Sequence, residues 1–225
     1  MKAALQDEHS MRDLIRPELI KPTACAALAT AILCLPRLSL WTSRVYPIWY
    51  LEAVIFTGSF VLWGFVLAWH SKYTKRPVFT LDLKAGGFAF ATVAGLGGAA
   101  ILRLFIDPLA RRVMPEDFPA DLRQWLAAGL FTLSLSQLLL VFAPFAWLMR
   151  LFKQQTIAFT LTVLFGLLIF VLKAQRAPTP MTSGPFAILL LTRLIMEVLA
   201  VGVYLRGGVL ATIWLGFLVH LHYWP

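Results

Sequence analysis

Acidic residues nearly run out half-way along this chain. Of its 11 Asp and Glu, only Glu197 lies beyond residue 121. Ionisable groups inside a membrane are costly and are kept mainly where they do chemistry or carry ions. A second half with one carboxylate and two histidines, His220 and His222, is poor in the side chains that such chemistry uses. Charge is scarce throughout: 14% of residues are charged and 60% are hydrophobic, where soluble domains average about 25% and 45–50%. That balance excludes an ordinary soluble domain. Cysteine is nearly absent. Cys25 and Cys34 lie nine residues apart, two and a half helical turns, so they face different sides and imply neither a disulfide nor a metal site. No phosphate loop, zinc spacing or dinucleotide fingerprint occurs. The first twenty residues have mixed charge and no apolar run, which argues against a cleavable signal peptide.

What is present is a series of apolar runs. A span needs about 20 apolar residues. Candidates lie at 23–40 (interrupted by Pro36 and Arg37), 47–69, 85–105, 125–149, 156–172, 185–205 and 209–224. These predict an all-α polytopic bundle of six or seven transmembrane helices in one domain, residues 1–225. A polar tail, 1–21, precedes it, with Leu5, Met11, Leu14, Ile15 and Leu19 on one side of a short surface helix. The run at 85–105 is rich in Gly and Ala, which predicts close helix approach and a central place in the bundle. Residues 106–124, with three prolines and mixed charge, predict an interfacial connection between two halves. Arg206-Gly207-Gly208 predicts a tight turn between the last two runs.

Net charge is +9. Its Lys and Arg are scattered through short loops, which fits loop charge against anionic lipid and excludes nucleic-acid binding. Lys72, Lys75, Arg76, Lys84, Arg150, Lys153 and Arg206 share a side with the basic N-terminal tail. Arg37, Arg44, Arg103, Arg111, Arg112, Arg123, Lys173 and Arg176 fall on the other. The imbalance places the N-terminus inside, provided the first run spans.

Few polar residues lie within the apolar runs. Arg193 and Glu197, four apart, share a helix face, as a structural ion pair or a substrate or proton site. His220 and His222 face different sides of a helix and cannot jointly hold one metal. With Tyr223 and Trp224 they fit an interfacial aromatic belt. Thr132, Ser134, Ser136 and Gln137 predict hydrogen bonds to neighbouring helices rather than nucleophilic chemistry, since no His or Lys base is adjacent. Arg103 and Glu52 sit near span ends, where charge is tolerated. His70 ends a span beside a basic loop and fits an interface residue.

A cadence runs through the second half: SQLLLVFAPFAWLMRLF at 136–152, TLTVLFGLLIFVL at 160–172, then Tyr204-Leu205, Gly208 and the closing span. Residues 125–224 resemble the CPBP family, the glutamate-type intramembrane proteases related to the CAAX prenyl endopeptidases. Active members carry a Glu-Glu pair with Arg four residues on, then Phe-Gly-x-x-His, then His-x-x-x-Asn after a Tyr-Leu-x-x-Gly turn. In this chain Ser136 and Gln137 fall at the acidic pair, Val141 at the Arg, Ile169 at the first His and Phe217 near the second. Phe165-Gly166, Tyr204-Leu205 and Gly208 keep the framework. A general base must accept a proton, and Ser and Gln cannot, so the resemblance implies a relative with no catalytic residues. It implies a membrane protein that scaffolds or accompanies other integral membrane proteins and lipids in a bacterial inner membrane. The wider superfamily includes a structural subunit of gamma-secretase.

Other readings stay open. Gly216 and His220 with Trp224 resemble the small-x-x-x-His stretch of bacterial light-harvesting polypeptides, which implies a chlorin or haem with His220 as axial ligand. A protease with an atypical site requires Glu197 and His220 to meet in one cavity. A small transporter predicts a polar midplane cavity and an inverted repeat, and no convincing repeat is visible.

Overall fold

The computed structural model describes residues 17–79, 85–176 and 182–225. Among these the chain is helical, with no strand. Six helices are long and apolar enough to cross a membrane: α1 (Pro17–Leu40), α2 (Ile48–Thr74), α3 (Gly87–Val113), α4 (Leu122–Phe152), α5 (Gln155–Ala174) and α6 (Ser183–Tyr223). The protein is an integral membrane helix bundle. The surface helix expected in the first twenty residues lies almost wholly outside the described residues, as does most of the loop before α6.

Local chemistry sets the helix ends. Asp121 opens α4 by accepting the Gln124 N–H at 2.7 Å, a side-chain cap on an orphan donor. Lys75 and Lys153 close α2 and α4 in the left-handed region, at φ 58° and 55°, and their N–H groups return to Ser71 O and Met149 O at 3.0 and 2.9 Å. Despite Pro36 and Arg37, the first run does form one long helix. Trp63 Nε1 donates to Thr30 Oγ1 at 3.0 Å, tying α2 to α1. The connection expected from residue 106 starts later, because α3 continues to Val113. Pro108 falls inside this continuous helix, just after a π-helical stretch at Leu102–Ile106. A single turn at Pro115–Asp117 follows.

Gly208 decides the topology of α6. Its φ of 69° and ψ of −163° interrupt the helix, in a region open essentially to glycine alone. The two limbs double back on each other. Met196 Cε and Val219 Cγ2 would lie 3.7 and 3.8 Å from a Cβ placed on Gly98 of α3, yet an unbroken helix would hold those residues about 34 Å apart. The tight turn at Arg206-Gly207-Gly208 therefore forms, and the returning limb runs about 22 Å from Val209 to Tyr223, shorter than the hydrocarbon core.

The Gly- and Ala-rich helix approaches its neighbour closely, as its composition predicts. A Cβ on Gly95 would sit 2.7 Å from Leu218 Cβ. It is not central, however. Its small residues serve one partner, the α6 hairpin, while Val93, Leu96, Leu104 and Phe105 face outward. The most buried span is α4, whose Leu138, Phe142 and Phe145 pack with Val201, Tyr204 and Val209 of α6 in the main core. Alternation of the spans places the α6 turn beside the end of α2, where Val209 N–H donates to Val78 O at 3.2 Å. On the opposite side Lys173 and Asp117 pair at 2.5 Å.

Candidate functional site

The ion pair expected from the four-residue spacing forms. Arg193 Nη2 lies 2.5 Å from Glu197 Oε1. Glu197 is buried and pressed against α5, where a Cβ on Gly166 would stand 2.5 Å from the carboxylate carbon. The glycine of Phe165-Gly166 is thus the floor on which Glu197 rests. Burial makes the pairing necessary, because an ion left alone there would lose its hydration without compensation.

His220 and His222 are buried, not exposed in a belt. His220 Nε2 donates to Trp125 O at 3.0 Å, and Trp125 Nε1 donates back to His220 O at 3.2 Å. The imidazole lies on Gly129, where a Cβ would be 2.8 Å from Nε2. One ring nitrogen is occupied by α4 and that face of the ring is closed. His222 Nδ1 meets both oxygens of Asp107 on α3, at 2.9 and 3.0 Å. Arg103, which is exposed, donates to Trp224 O at 2.9 Å and satisfies a carbonyl left over at the helix end. The sequence named Arg103 without a partner and missed Asp107 and Trp125. The only signal for Asp107 was a carboxylate beside a proline in an apolar stretch.

Glu197 and His220 press against different helices, α5 and α4, and no hydrogen bond joins them among the described residues. The positions that the family resemblance singles out do not converge either. Val141 is core, while Ile169 and Phe217 face outward at 39% and 37% exposure. Gln137 lies against the returning limb, with a Cβ on Gly216 standing 3.3 Å from Nε2, and its Oε1 is buried without a partner. Of the Ser and Thr cluster, Ser134 reaches another helix, 3.7 Å from Cys34 Sγ. Among the described residues no three His, Cys, Asp or Glu gather as metal ligands. Compared with known protein families, curated proteins and solved structures, the chain matches none.

A cavity of about 220 Å³ opens beside the α6 turn, on the side where α2 ends. His70, Arg76, Phe88, Tyr204 and Arg206 line it, with Gly207 and Gly208. A π-helical turn, Val66–His70, delivers His70, and such turns often mark functional positions. The imidazole packs on the Tyr204 ring with centroids 4.8 Å apart. Both residues are essentially inaccessible, at 1% and 0% exposure, and His70 Nδ1 and Tyr204 Oη have no hydrogen-bond partner in the protein. A buried polar atom left unpaired costs about 1–3 kcal/mol. Arg76 donates to Leu205 O, and the Arg206 guanidinium lies 5.3 Å from the Phe90 ring centre. The sequence read His70 as an interface residue, whereas packing on Tyr204 buries it; 134 residues separate the two, and neither has a motif around it that names the other.

Proposed function

We propose that this chain is a non-catalytic integral membrane protein with a CPBP-like framework, serving as an accessory or structural subunit of a membrane protein complex in a bacterial inner membrane. One observation carries the reading. The ionisable residues of the second half that could have supplied an acid and a base are spent on packing: Glu197 on Arg193 and Gly166, His220 on Trp125 and Gly129. Ser136 and Gln137 support it, since neither can act as a general base. The outward rows of α5 and α6, with Phe165, Leu168, Leu191 and Ile195 exposed, offer the apolar contact such a subunit uses.

The test is purification from the native membrane in a gentle detergent, followed by mass spectrometry. The proposal predicts a membrane protein recovered in fixed stoichiometry, with or without Glu197→Gln. Recovery of the chain alone, or a partner trimmed by the wild type and intact beside Glu197→Gln, contradicts it.

A further inference from the structure

We propose that the cavity at the α6 turn binds a phosphate-type oxyanion at the headgroup level of the membrane. Its walls carry two guanidinium groups, Arg76 and Arg206, and no carboxylate among the described residues. Guanidinium forks match phosphate oxygens in pairs and stay charged at every physiological pH. Arg76 is anchored through one nitrogen to Leu205 O, which leaves further N–H donors on the same group. Beneath them His70 and Tyr204 bring two buried polar atoms that no protein group satisfies. Their rings close the floor of the cavity, and Nδ1 and Oη are themselves inaccessible, so the two guanidinium groups are what a seated oxyanion meets.

Place and size narrow the ligand. The cavity lies where α2 ends in a basic run and α6 turns, at the edge of the spans. Phosphate is the anionic group of membrane headgroups, and basic clusters at that level attract it. Pockets for whole drug-sized ligands run about 300–1,000 Å³. At about 220 Å³ this cavity holds the anionic group and leaves any attached chain outside. Gly207 and Gly208 line the cavity with no side chain, so backbone borders the ligand. A phospholipid and free phosphate share this chemistry.

The test uses the full chain in phosphate-free maltoside micelles, with two probes: phosphatidylglycerol, counted by native mass spectrometry, and inorganic phosphate, titrated by calorimetry. Wild type is expected to retain one phosphatidylglycerol that excess phosphate displaces, and Arg206→Gln to weaken retention about tenfold, the loss of one charge-assisted bond. Phosphate binding without lipid retention, equally sensitive to Arg206→Gln, assigns the same site to the free anion. If Arg206→Gln does not fold, Arg76→Gln and Arg206→Lys carry the comparison. No binding by wild type, or binding that none of these variants weakens, overturns the proposal.

Discussion

Removing either half of the Arg193–Glu197 pair is expected to cost unequal amounts, and removing both very little. Glu197 has a side chain only 4% exposed, whereas that of Arg193 is 37% exposed. Arg193→Met strands the buried carboxylate against Gly166, and breaking a buried pair from one side costs about 3–5 kcal/mol. Glu197→Met strands a long side chain that already reaches the surface and can carry its charge outward, so about 1–2 kcal/mol is expected, in line with the upper range for polar contacts between membrane helices. Met approximates the volume of both residues, so the double variant restores packing without charge and should fall within about 1 kcal/mol of wild type. Equilibrium unfolding in mixed micelles, run as a double-mutant cycle, measures all three. Singles that each cost under about 0.5 kcal/mol, or a double that costs the sum of the singles, refute the assignment of this pair to structure.

Three further outcomes follow from the geometry. Gly208→Ala should destabilise the fold by about 1–3 kcal/mol, the cost of a backbone region closed to other residues, and should raise protease sensitivity at the 206–208 turn. Gly129→Ala pushes a methyl into His220, whereas a Cβ on Gly58 meets nothing within 4 Å; the first should lower the unfolding midpoint, and the second should leave it unchanged or raise it slightly. Lys173→Gln should cost less than about 1 kcal/mol, because Lys173 is exposed and the half-buried Asp117 left behind keeps contact with solvent, and the same unfolding assay reads it.

Much of the architecture was legible in the sequence because membrane length and backbone satisfaction leave few choices. The apolar runs mark the spans, Arg206-Gly207-Gly208 marks the hairpin, and the spacing of Arg193 and Glu197 marks their pair. Expectations went astray where a long-range partner decided the outcome. The Gly/Ala content of 85–105 announces close approach but not with how many neighbours, and among the described residues the α6 hairpin is its main partner. His220 and His222 look interfacial because Tyr223 and Trp224 follow them as an aromatic belt would. Only the fold shows that Trp125 and Asp107 draw them inward. The cavity was invisible for the same reason, since its His, Tyr and two Arg come from two segments far apart in the chain that only the fold brings together.

Under the function we propose, the second half keeps a CPBP-like framework and breaks no bonds. Intact-mass measurement of the membrane proteins that co-purify with the chain tests it most directly, comparing cells that hold wild type, Glu197→Gln or no copy. Unchanged partner masses in all three, with partner abundance falling only when the chain is missing, are the predicted result. A partner shortened by a defined peptide in the presence of wild type, and full-length with Glu197→Gln, would contradict it.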